Sequence, residues 1–146
     1  LSEVAEHYLA GQLALMPALT ALSCPTINSY KRAVSGVWSP INVSWGIENR
    51  TTAIRAIPGI TQNSTRIEYR LTGADANPYL AMAAGLASGL YGIEHEVELP
   101  PMTSGNAYEA ANLQPLPPNL TAATKWLDQS EAAGIIWETP SWITLS

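Results

Sequence analysis

Apolar residues recur along this chain with two different periods. In the run TRIEYR, Thr65, Ile67 and Tyr69 fall on one side of an extended chain, and Arg66, Glu68 and Arg70 on the other, because strand side chains alternate every two residues. The same period places Ile41, Val43, Trp45 and Ile47 opposite Asn42, Ser44 and Gly46. Short strands are therefore predicted over 41–47, 51–57 and 65–71, each with one face on a core. Their short links make an antiparallel meander the simplest arrangement.

Elsewhere the period is helical. Val4, Tyr8, Leu9, Leu13, Met16, Leu19 and Leu22 predict a helix from Ser2 to about Leu22, with Ser2 as its cap and Glu3 and Glu6 in the first turn. Pro17 is expected to kink or divide it. Positions 24–40 read as irregular chain. In DANPYLAMAAGLASGLYGIE, Asn77 caps a second helix that opens on Pro78, and its small residues would let it lie close against a sheet. From Glu94 to Leu120 the chain is Pro-rich and reads as a long loop, of the kind that is functional or runs between subunits. A last helix, TAATKWLDQSEAA, is capped by Thr121 and stopped by Gly134, and Trp137 and Trp142 follow it. The fold class predicted is α+β, an antiparallel sheet packed with helices.

A length of 146 residues with 47% hydrophobic and 13% charged residues suits one globular domain with its own core. The single Cys24 excludes an internal disulfide, and the first residues lack the basic region of an export signal, so a cytoplasmic protein is expected. The apolar run 79–93 is too short and too rich in Gly for a membrane span, and no membrane role is expected.

The net charge of -5 conceals an asymmetry. Lys31, Arg32, Arg50, Arg55, Arg66 and Arg70 lie together against only Glu48 and Glu68, whereas the rest of the chain holds one cation and ten acidic residues. An acidic protein with a pI near 4.9 makes a poor nucleic-acid binder, so a small anionic ligand fits better. Arg in particular presents a planar fork matched to carboxylate and phosphate. Two readings of the face formed by Arg66, Glu68 and Arg70 stay open: the solvated side of a sheet, or a ligand site. If the face is covered, an unpaired charge there costs several kcal/mol, and an anion or metal must compensate it. Glu68 between two Arg then reads as a metal ligand.

The blocks PTINSYKR, SPINVSWGIENRTTAIRAIP, RIEYR and GADANPYLAMAAGLASGLYGIE, in this order and spacing, resemble the C-terminal half of the catalytic domain of the glutamine synthetase family, over about His7 to Pro118. The resemblance implies part of a half-barrel whose sheet lines a site for ATP, glutamate and two divalent metals, Mg2+ or Mn2+, between subunits of a ring-shaped homo-oligomer. It also implies roles. Glu68 resembles a metal ligand and Arg66 the Arg that approaches the nucleotide; Arg50 and Arg55 resemble the phosphate-stabilising pair, with Arg55 also beside the nucleotide; Arg32 and Arg70 resemble those that grip the glutamate carboxylates. Tyr108 falls near a Tyr that some bacterial members adenylylate.

Two departures qualify this. Where ammonia-using members carry Gly-Tyr-Glu-Ala-Pro, this chain has Gly36-Val37-Trp38-Ser39-Pro40, and Trp38 cannot act as a base. An organic amine of the gamma-glutamylpolyamine type is therefore expected over ammonia as the second substrate. The family's earlier metal-binding glutamates and N-terminal small domain have no counterpart in these residues, so a fragment of the catalytic domain, inactive alone, is expected. The alternative is a non-catalytic relative that keeps the fold as an assembly or anion-binding module.

Overall fold

A helix with almost no polar stripe forms the centre of the molecule. The computed structural model describes residues 1–34, 36–37 and 39–137, and in it α1 (Glu3–Ser23) runs without a break, buried from Leu9 to Ser23 apart from Ala14 and Leu22. Ser2 caps it, accepting a hydrogen bond from the Ala5 amide at 3.3 Å. Pro17 does not divide the helix as expected. A Pro inside a helix costs about 3 kcal/mol, and burial of Leu13, Leu15, Met16 and Leu19 around it outweighs that cost. Trp38 and Trp142 lie outside the described residues.

Being buried on two sides, α1 has two cores. Leu9, Leu13 and Met16 pack with Trp45, Ile54, Ala56 and Leu71 of the sheet region. Leu15, Ala18 and Leu19 pack with Ala84 of α2 (Pro78–Glu94) and Ala133 of α4 (Glu131–Trp137). The sheet holds three strands in the order β1 (Trp45–Ile47), β2 (Ile54–Ile57), β3 (Arg66–Tyr69). All three are shorter than the alternation predicted.

The antiparallel expectation holds for β2 and β3, in a register that pairs Arg55 with Glu68 and Ile57 with Arg66. It fails for β1 and β2, which run parallel, with Gly46 opposite Arg55. The cause lies in the link. Glu48 takes a left-handed backbone, φ 51°, and the Asn49 side chain accepts from the Thr51 amide at 3.0 Å and the Thr51 hydroxyl at 2.6 Å. Thr52, fully buried, donates to the Asn49 carbonyl at 2.8 Å. This tight loop carries the chain back to the start of β1 instead of reversing it in a hairpin.

Residues 27–32, expected to be irregular, form a short 3-10 helix, capped by Thr26 and Ser29 in a reciprocal pair and tied to Asp75 by both hydroxyls at 2.6 and 2.7 Å. Hydrogen bonding from Thr26, then from Ser29, lowers the Asp75 pKa. The expected last helix is two: α3 (Leu120–Asp128), capped by Asn119 rather than Thr121, and α4, whose Ala133 amide donates to the Ser130 hydroxyl at 3.1 Å. The long loop 95–119 covers the outer edge of β1, with the Thr103 amide on the Trp45 carbonyl at 2.9 Å and the Trp45 indole on the Pro100 carbonyl at 2.8 Å. No helix among the described residues is long and apolar enough to cross a membrane.

The Asn77 cap and Pro78 start of α2 are as predicted, but the partner of its small residues is not. They meet α1, not the sheet. A Cβ on Gly92 would lie 2.1 Å from the His7 carbonyl oxygen, and one on Gly11 would lie 2.3 Å from the Ser88 carbonyl oxygen. Backbones this close leave no room to relax. Gly92→Val should therefore lower unfolding stability in a denaturant titration by about 3 kcal/mol or abolish folding. Gly134→Ala, in α4 with open space around the site, should raise stability by about 0.5–1 kcal/mol in the same titration.

Candidate functional site

One face of the sheet is spent on the core, since Ile54, Ala56, Ile67 and Tyr69 point toward α1. The register then leaves Arg55, Arg66, Glu68 and Arg70 on the other face. Arg55, on the middle strand, is the centre of this group. Its Nη1 donates to Glu68 Oε2 at 3.2 Å, while Nε, at 3.1 Å, and Nη2 both donate to Glu48 Oε2. Arg70 Nε lies 3.4 Å from Glu68 Oε1, so the two oxygens of Glu68 are shared between two guanidiniums.

Arg70 is fixed from a second side as well. Its Nη1 donates to the Thr52 carbonyl at 3.0 Å and to the Arg50 carbonyl, which locks the loop 48–53 to β3. The guanidiniums are sheltered, with side chains 16% and 11% exposed for Arg55 and Arg70, whereas Glu48 and Glu68 are 49% and 44% exposed. The carboxylates thus sit at the solvent edge of the face and the cations beneath them. The hydrogen bond with Glu48, ahead of that with Glu68, raises the Arg55 pKa, so this guanidinium stays charged.

Of the residues singled out from sequence, the structure joins Arg55, Glu68 and Arg70 in one network and brings in Arg50 through its backbone. Arg66 shares the face but is exposed, and its Nη1 donates to the Ser64 carbonyl at 3.1 Å. Arg32 is held elsewhere, at the end of the short 3-10 helix, where its Nη2 donates to the Leu71 carbonyl and its Nε is buried without a partner. Tyr108 donates its hydroxyl to the Ser39 carbonyl at 3.1 Å.

Sequence reasoning gave the cluster a single carboxylate and missed Glu48. With Glu48 included, two carboxylates balance Arg55 and Arg70, so the network does not require a bound anion for neutrality. The available signal was weak: an acidic residue in a turn, seven positions before an Arg, becomes its partner only because β1 and β2 are parallel.

Glu68 is a hard oxygen donor of the kind Mg2+ or Mn2+ takes, and it is accessible. Among the described residues no group of three His, Cys, Asp or Glu could hold a metal ion. Glu68 by itself makes no complete metal site within this set.

The family described as "Glutamine synthetase, catalytic domain" matches residues 1–136. Type-1 glutamine synthetase 2 of Dictyostelium discoideum is 42% identical over 137 residues, covering 91% of this chain and 26% of that protein. The glutamate–isopropylamine ligase of a Pseudomonas species is 43% identical over 139 residues, 94% of this chain and 30% of that protein. A solved structure described as "GmaS/ADP complex-Conformation 1" superposes with a TM-score of 0.82 at 37% identity, covering 93% of this chain and 33% of that one. The chain spans about a quarter to a third of the length of these relatives. It belongs to the glutamine synthetase catalytic-domain family.

Proposed function

We propose that the intact protein is an ATP-dependent ligase that joins the side-chain carboxylate of glutamate to an amine through a gamma-glutamyl phosphate. This chain supplies part of its catalytic domain, the remaining ligands and walls coming from sequence outside it and from neighbouring subunits of a homo-oligomer. The observation that carries the reading is Arg55, held on the central strand between two carboxylates with Arg70 beside it. A rigid guanidinium on an open face is suited to a reaction in which phosphoryl transfer depends on positioning and charge neutralisation.

In this scheme Arg50 and Arg55 hold the phosphoryl group as it leaves ATP, Arg66 faces the nucleotide, and Arg32 and Arg70 grip the carboxylates of glutamate. Glu68 would hold a Mg2+ or Mn2+ ion, which would neutralise phosphate charge. The same carboxylate is bonded to Arg55 and Arg70, so a Glu68 that held the ion would leave those donors to phosphate and glutamate. The amine then displaces phosphate from the acyl carbon, and the products are the amide, ADP and phosphate.

The second substrate is an organic amine rather than ammonia. Trp38 at the place of the family's loop glutamate supports this, as an indole offers apolar surface and no base. The relatives include both kinds of enzyme, a glutamine synthetase and an isopropylamine ligase.

Phosphate release by the full-length polypeptide, given ATP, Mg2+, glutamate and a panel of amines, should be faster with organic amines than with ammonia. Equal rates would remove the case for Trp38, and no release with any amine would remove the ligase reading. Arg55→Ala should slow phosphate release by about 10², and an unchanged rate would exclude Arg55 from phosphoryl transfer. Glu68→Ala should weaken Mn2+ binding in a direct titration of the full-length protein, and unchanged affinity would exclude Glu68 as a ligand.

A further inference from the structure

Two non-glycine residues among those described have a left-handed backbone, Glu96 at φ 47° and Glu48 at φ 51°. Glu96 is accounted for locally. It follows the C-cap of α2, where the Val97 amide returns to the Gly92 carbonyl at 3.0 Å and the Glu96 amide to the Ile93 carbonyl at 3.3 Å, a helix ending that demands a left-handed residue. Glu48 ends no helix. It occupies a turn where Gly or Asn would sit with less strain, and such outliers persist where the side chain has a task.

The task is visible in the bonds. Glu48 Oε2 takes both Nε and Nη2 of Arg55, one whole edge of the guanidinium, leaving Nη1 for Glu68 at 3.2 Å. The Glu48 amide donates to the Ala56 carbonyl at 2.9 Å, which pins the backbone of Glu48 beside the strand that carries Arg55. Arg55 thus has one edge occupied and the other facing the shared carboxylate. Lacking Glu48, the guanidinium could turn both edges to Glu68 and compete with any cation there.

We infer that Glu48 is a positioning residue for the proposed ligase reaction: it anchors the Arg55 guanidinium so that Glu68 can be released from it. The inference rests on the ligase reading, and its test separates the two. Glu48→Gly suits the left-handed backbone, so the full-length variant should fold with an unchanged or higher Tm. Its kcat for amine-dependent phosphate release should fall by about tenfold or more, as displaced catalytic groups do, with the KM for glutamate changed less than twofold. The Arg55 Nε–H resonance should lose its protection from hydrogen exchange, a readout that needs no turnover. A wild-type kcat, or an Arg55 resonance that keeps its protection, would overturn the inference. If the parent protein shows no turnover with any amine, the ligase reading fails by itself, and the exchange of the Arg55 Nε–H alone decides whether Glu48 anchors it.

Discussion

A guanidinium sheltered in a sheet must have its charge answered by nearby carboxylates, and in this protein that requirement falls on Arg55. Its side chain is mostly withdrawn from water, and Glu48 answers it from the turn after β1 and Glu68 from β3. Everything proposed for the site follows from how these three are held. Glu68 is also bonded to Arg70, and Arg70 is bonded to the carbonyls of Arg50 and Thr52, so the charges form one connected network rather than separate surface pairs. Isolated exposed pairs stabilise little, whereas a network anchored on backbone carbonyls keeps its geometry.

The fold supplies that geometry from behind. Burial of Ile54, Ala56, Ile67 and Tyr69 toward α1 commits one face of β2 and β3 to the core, and the two-residue period then commits Arg55, Glu68 and Arg70 to the other. A slip of one residue would exchange the faces, so the hydrophobic packing under the sheet fixes the site as firmly as its own hydrogen bonds do. The parallel pairing of β1 with β2 adds Glu48, by way of the buried Thr52 and the Asn49 turn.

What could be read from sequence follows from the range of the interactions involved. The TRIEYR alternation sets which side each residue faces, and Arg66, Glu68 and Arg70 do share a face. Asn77 with Pro78 marks a helix start through bonds made within a few residues. Alternation carries no information on strand direction, however, so the parallel pair and the partnership of Glu48 with Arg55 were invisible. The small residues of α2 announced a close approach but not its partner, which is α1. Arg32 and Arg66 lie in blocks that resemble the same family as the block of Arg55, yet their guanidiniums are bonded to the Leu71 and Ser64 carbonyls, because placement depends on contacts distant in sequence or on local backbone that a motif does not encode.

The central claim is that the face bearing Arg55, Glu68 and Arg70 is where a nucleotide and its metal ion meet glutamate. A crystal structure of the full-length protein with ADP, Mg2+ and a phosphate mimic tests it most directly. The account predicts Arg55 within hydrogen-bonding distance of the mimic, still bonded to Glu48, with a carboxylate oxygen of Glu68 on the metal. A nucleotide bound away from the β2–β3 face, with Glu68 still paired to both arginines, would contradict it.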